Sequence, residues 1–78
     1  MKRTLHLGAV IGDVAALPPQ LRARLLRTIE DLVDTPEPLG ARPYGGIPDA
    51  FEFVTDLFTL RYTYGEDHVS IWVVRANT

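Results

Sequence analysis

The sequence predicts a small α+β domain, one antiparallel sheet packed on one or two helices. Three observations lead there. Leu21, Leu25, Ile29 and Leu32 recur at helical spacing in the first half of the chain. Phe58, Leu60, Tyr62 and Tyr64 alternate with Thr59, Arg61 and Thr63 in the second half, as in a half-buried strand. The helical stripe precedes a run of strand-like segments instead of alternating with them, which is the order of a domain whose helices lie to one side of an antiparallel sheet. With 78 residues, one domain over residues 1–78 is expected. The chain has no cysteine, so disulfides, thiolate nucleophiles and cysteine-based zinc or iron–sulfur sites are excluded. Apolar burial must then supply the core of a domain small enough to be marginal alone.

Taken in order, Thr4-Leu5-His6-Leu7 reads as a short first strand. Gly8 and Gly12 weaken any helix over Ala9-Val10-Ile11, and Asp13 to Leu17 is one helical turn or two. Pro18-Pro19 closes that segment, and Pro19 suits the first position of the next helix. That helix is predicted over Pro19–Val33, with Leu26 and Val33 widening its apolar stripe. Its charges run basic first and acidic last, against the helix dipole by about 0.3–1 kcal/mol per charge near an end. Thr35 to Asp49 contains Pro36, Pro38, Pro43 and Pro48 with Gly40, Gly45 and Gly46, and reads as a loop without regular structure. Phe51–Phe53, Phe58–Tyr64 and Val69–Val74 are three strands, the second and third joined by the turn Gly65-Glu66-Asp67. The stripe Leu21, Leu25, Ile29 and Leu32 is expected on the sheet face that carries Phe58, Leu60, Tyr62 and Val73.

Net charge is −2, but its distribution is uneven. Residues 1–29 hold five basic residues, among them Arg22, Arg24 and Arg27, against one acid; residues 30–78 hold three arginines against nine acids. No basic stripe runs the length of the chain, as a dedicated nucleic-acid binder would have. Seven of the eight basic residues are arginine, which suits bidentate contacts to carboxylate or phosphate. A phosphate site and an acidic protein partner are both open on this evidence. No apolar stretch is long enough to span a bilayer, and no signal-peptide run precedes the domain, so a cytoplasmic protein without a membrane role is expected.

One ordered set of phrases resembles a known family. The helix end Ile29-Glu30-Asp31-Leu32-Val33 runs into Asp34-Thr35-Pro36. A loop ending Gly46-Ile47-Pro48 leads to the aromatic strand Phe51-Glu52-Phe53. Phe58-Thr59-Leu60-Arg61-Tyr62 follows, then the acidic turn and the valine-rich strand Val69–Val74. This order, over roughly residues 14 to 76, is similar to the RelE/ParE superfamily of bacterial toxins. The resemblance implies a RelE-like domain ordered β-(α)-α-β-β-β, and a role as the toxin half of a type II toxin–antitoxin pair neutralised by an antitoxin. It implies either RelE-type cleavage of mRNA on the ribosome, inhibiting translation, or ParE-like blocking of gyrase by a module without that chemistry. Self-association through a sheet edge is the alternative to an antitoxin partner. The sequence departs from the RelE branch where that branch places strand lysines: Glu52 and Val54 stand there. Thr59 replaces a strand arginine, with Arg61 two residues on.

Cleavage by attack of a ribose 2′-hydroxyl needs a proton acceptor, a cation for the developing charge and a proton donor. Arg61 and Arg75 are the candidate cations and His68, at a turn exit, the candidate proton shuttle. Glu52 and Tyr62 are the other candidate acid–base groups. Arg42, Tyr62 and Trp72 are candidate RNA contacts, with Trp72 on the face of Ser70 and Val74 able to stack on a base. Arg22, Arg24 and Arg27 are candidates for steering an acidic antitoxin segment. The plain alternative for Arg61 is a solvated strand residue paired with Glu52 across strands. Two histidines 62 residues apart lack ligand spacing, so no metal or other cofactor is expected. Gly45-Gly46 lacks the following Lys-Ser/Thr of a phosphate loop, and Ser70 lacks triad partners.

Overall fold

The computed structural model describes residues 3–77. The chain begins with β1 (Thr4–His6), a 3-10 turn over Gly8–Val10, the short α1 (Ile11–Ala15) and the long α2 (Pro19–Asp34). It continues with β2 (Arg42–Pro43), β3 (Ala50–Val54), β4 (Phe58–Tyr64) and β5 (His68–Ala76). The strands form one sheet in the order β1-β5-β4-β3-β2.

Two features differ from expectation. The sheet is mixed: β1 runs parallel to β5, with Thr4, Leu5 and His6 opposite His68, Val69 and Ser70. A hairpin turn dictates antiparallel pairing for β3–β4 and β4–β5, but no local turn joins β1 to β5. Both helices and strands β2 to β4 lie between them in the chain, and a connection of that length leaves parallel pairing open. The second difference is β2, inside the segment expected to lack regular structure. Arg42 pairs with Glu52 and Pro43 with Phe51. The amide of Tyr44 then donates to the Ala50 carbonyl at 2.9 Å. Proline is tolerated here because β2 is an edge strand, where no outer partner asks for the missing N–H.

α2 starts where the sequence placed it. Pro18 takes an extended conformation (φ −54°, ψ 148°) and Pro19 occupies the first turn, with no side-chain cap. Leu25, Ile29 and Leu32 are fully buried against Phe58, Leu60, Tyr62, Val69 and Ile71; Val10 and Val14 close the same cluster. Leu21 and Val33 pack partly against it, whereas Leu26 is 40% exposed and lies outside the stripe.

Val73 does not join this face as expected, because β5 contains a bulge. Leu60 pairs with Val74 and Arg61 with Val73, but Tyr62 pairs with Ile71, so Trp72 is an extra residue in β5. The bulge resets the period-2 alternation. Ile71 and Val74, three residues apart, both face the core, and Val73 faces away with Arg61.

The loop before β2 is pinned from beneath. The Tyr62 hydroxyl, on a side chain with no exposed surface, donates to the Pro36 carbonyl, and the Tyr64 hydroxyl donates to the Glu37 carboxylate. The amino-terminal end is held at the β4–β5 turn, where the Thr4 amide donates to the Asp67 carbonyl and Arg3 Nε to the Gly65 carbonyl, each at 2.8 Å.

Leu25 has no exposed surface and sits where α2 crosses the sheet. Leu25→Ala is expected to cost about 2–5 kcal/mol. At roughly 4–8 °C per kcal/mol for a domain of this size, its melting temperature should fall by about 10 °C or more. A calorimetric scan showing a shift of only two or three degrees would contradict the packing described.

Candidate functional site

α2 covers one face of the sheet, and the strand residues of opposite parity form a face that no helix among the described residues covers. That open face carries Arg42 on β2, Glu52 on β3, Thr59, Arg61 and Thr63 on β4, and Ser70, Trp72, Val73 and Arg75 on β5. His6 on β1 and His68 on β5 belong to the same face.

Arg61 lies near its centre. Its Nε donates to Glu52 Oε2 at 2.8 Å across the β3–β4 pair, as the plain reading of the sequence expected. The guanidinium stands over the Tyr44 ring at 4.4 Å. Tyr44 meets Trp72 edge to face, with ring centroids 5.5 Å apart. The loop following β2 and the bulge of β5 thus converge on one arginine. The hydrogen bond to Glu52 raises the guanidinium further above its ordinary range, so Arg61 is a permanent cation. Arg75, opposite Thr59, adds a second cation, this one exposed, two pairs along the same strands. Arg42, opposite Glu52 from the β2 side, adds a third.

His68 is on this face but not at this cluster. Five positions separate it from Val73, the residue opposite Arg61. At about 3.3 Å per strand residue that is roughly 15 Å, beyond hydrogen-bond reach. Its ring lies instead beside His6, with centroids 6.4 Å apart, and its Nδ1 is 2.9 Å from Asp67 Oδ1. That bond lowers the Asp67 carboxyl below its usual range. The ring also rests on Gly65, where a Cβ would come within 2.6 Å of His68 Cε1.

Tyr62, expected as an RNA contact or acid–base group, is fully buried on the opposite face and its hydroxyl is engaged by Pro36. No ligand on the open face reaches it. The alternation of β4 already separated Tyr62 from Arg61. Trp72 shares its face with Ser70, but the bulge turns Val74 to the core. Trp72 is 40% exposed, with its contact to Tyr44 on the open side.

Arg22, Arg24 and Arg27 sit on α2, on the other side of the domain. Arg22 donates to the Ala15 carbonyl at 3.3 Å. Arg24 and Arg27 border a groove that also holds Leu26, Glu30, Asp31 and Asp56, so positive and negative charge are mixed there. The contacts of Tyr44 with Arg61 and of His6 with His68 were not legible in any motif. The signal was the Tyr44-Gly45-Gly46 turn after Pro43 and the strand parity of His6. Among the described residues no group of three or more His, Asp or Glu side chains converges as a metal would require. No described helix is long and apolar enough to cross a membrane.

This arrangement, a mixed five-stranded sheet with two helices against one face, is the RelE-like α+β fold that the sequence resemblance implied. Among solved structures, a chain of the toxin–antitoxin complex RelBE2 from Mycobacterium tuberculosis is similar, with a TM-score of 0.79 and 20% identity. The match covers 99% of this chain and 100% of that chain. At that identity the likeness is one of fold. No family model and no curated protein matches the sequence.

Burial pushes the Tyr62 phenol from 10.0 up to about 12, with the charges of Glu37 and Tyr64 acting in the same direction. The Glu37 hydrogen bond also raises Tyr64. A folded-state value above the unfolded one means that the folded state holds the proton longer. The stabilisation is therefore complete below about pH 10 and is lost as pH rises toward about 12. Urea unfolding at mildly and strongly alkaline pH should show this loss in the wild type. Tyr62→Phe should be less stable at neutral pH by about 1–3 kcal/mol, since the Pro36 carbonyl loses its donor. Its alkaline decline should be shallower; an identical slope would assign that decline elsewhere.

Proposed function

We propose that this chain is the toxin-like component of a toxin–antitoxin pair and that it acts on RNA through the open sheet face, as a RelE-type ribosome-dependent mRNA endonuclease. The observation that carries the reading is the placement of Arg42, Arg61 and Arg75 together on the uncovered face of a RelE-like fold. These are three of the eight basic residues in a chain whose net charge is −2. The similar chain from Mycobacterium tuberculosis comes from a toxin–antitoxin complex, which supports an antitoxin as partner here. In this reading Arg61 and Arg75 neutralise charge at the scissile phosphate, and Trp72 offers a ring to a base.

A second reading has a specific observation behind it. Arg61 is already paired with Glu52, and His68 stands well away from it. A face with its central cation satisfied and no histidine in reach suits a non-catalytic ParE-like or antitoxin-binding module. Cleavage of mRNA on programmed ribosomes separates the two. On the first reading Arg61→Ala and Arg75→Ala each lower the cleavage rate by about 10²–10³. Both should leave the melting temperature nearly unchanged, since neither side chain is in the core. Wild-type protein that binds its antitoxin but cleaves nothing would establish the second.

The antitoxin contact is proposed at Arg22, Arg24 and Arg27, which would draw in acidic residues of the partner. Arg22→Glu with Arg27→Glu should slow association with the product of the adjacent gene and reduce its salt dependence. An unchanged association rate across salt concentrations would remove these arginines from the interface.

A further inference from the structure

Three neighbouring strands set Arg42, Glu52 and Arg61 in one row across the open face. Arg42 is the register partner of Glu52 from β2, and Arg61 is its partner from β4. Such cross-strand partners have Cβ atoms about 4.5–5.5 Å apart. The middle position of the row is therefore a glutamate with an arginine as register partner on either side. Glu52 is the one acid among the described strand residues of this face.

The carboxylate engages only Arg61 Nε, and the Nη atoms of Arg61 make no hydrogen bond among the described residues. Arg42 forms no ion pair among them either. The Glu52 and Arg61 side chains are 29% and 24% exposed, so water competes for their bond and screens it. Arg61 meanwhile has a second support. Its guanidinium stands on the Tyr44 ring, and Tyr44 is braced by Trp72. Removing the carboxylate would leave that cation oriented, with its planar fork open to an oxyanion.

We propose that Glu52 is an internal competitor that occupies a phosphate-binding site formed by Arg42 and Arg61. The ligand is a phosphate oxyanion, and it enters as the Glu52 side chain swings off Arg61. This deepens the proposed function, and rests on it for RNA as the source of the phosphate. The carboxylate sets a threshold. A single phosphate meets a neutralised arginine and the repulsion of Glu52. A polyanion that also reaches Arg42 gains enough to displace it. The pair thus favours an extended phosphate backbone over small anions.

The test compares wild type with Glu52→Gln, which keeps the side-chain shape and a hydrogen-bonding oxygen while removing the charge. The probes are inorganic tripolyphosphate and a short oligouridylate, with affinities measured by titration calorimetry and the site followed, where Arg61 is present, at its Nε–Hε resonance. Glu52→Gln is expected to bind tripolyphosphate about fivefold or more tightly than wild type, as removal of one like charge at contact distance implies. Its affinity for oligouridylate should rise by a smaller factor, since the polyanion already displaces the carboxylate in the wild type. The dependence of that affinity on salt should steepen by about 0.7 in log–log slope, the increment for one more uncompensated cation facing a single strand, because Arg61 no longer starts neutralised by Glu52. Adding Arg61→Ala or Arg42→Ala to Glu52→Gln should abolish the gain.

The outcomes separate the competitor from the reading beneath it. Tighter tripolyphosphate binding without any binding of oligouridylate supports the competitor and overturns RNA as the phosphate source. Equal affinities and equal salt slopes for oligouridylate overturn the competitor while leaving RNA binding in place. An Arg61 resonance unmoved by either probe in both proteins overturns the site itself.

Discussion

The hydroxyl of Tyr62 and the carbonyl of Pro36 meet inside the core, and the form of the open face depends on that contact. Tyr62 stands on the central strand β4 with no exposed surface, so its hydroxyl must find a partner indoors. The partner it finds is in the loop that leaves α2. Once Pro36 is held there, the chain turns at Ala41, whose amide donates to the Pro38 carbonyl, and lays Arg42 and Pro43 along β3. Tyr44 arrives beneath Arg61 as a consequence. A core tyrosine on one side of the sheet therefore positions an aromatic ring and an arginine on the other.

The bulge at Trp72 is the second constraint. Without the extra residue, β5 would continue its alternation and Val73 would enter the core where Val74 now packs. The bulge keeps both ends of β5 in register with β4 and spends the inserted residue on the open face. Trp72 braces Tyr44 there. Bulges of this kind re-aim side chains, and the one here completes the aromatic support of the central arginine.

The domain thus separates two surfaces by charge and by construction. The open face combines Arg42, Arg61 and Arg75 with aromatic rings and a single strand acid, and its side chains stand on paired strands. The helix surface mixes Arg24 and Arg27 with Glu30, Asp31 and Asp56 around a shallow groove. The basic-first order of α2, unfavourable to its dipole, puts Arg22 near the carbonyl of Ala15. Part of the expected dipole penalty is met by that contact with the preceding helix.

The α+β class, the Pro19 start of α2, the buried stripe Leu25–Ile29–Leu32 and the parity of β4 were all legible in the sequence. Each follows from local periodicity or from the backbone limits of proline. Parity alone was enough to place Arg61 with Thr59 and Thr63, and its pairing with Glu52 was the plain alternative to a catalytic role that the sequence left open. The parallel direction of β1, the edge strand β2, the bulge that exchanges Val73 for Val74, the burial of Tyr62 and the distance of His68 from Arg61 were decided by tertiary structure. These depend on which distant segments meet, and hydrogen bonds between strands far apart in sequence leave no periodic trace in either one. A tyrosine at an alternating position is equally suited to a solvated face or a core. It was packing under α2, together with an accepting carbonyl on a loop 26 residues away, that made this one structural.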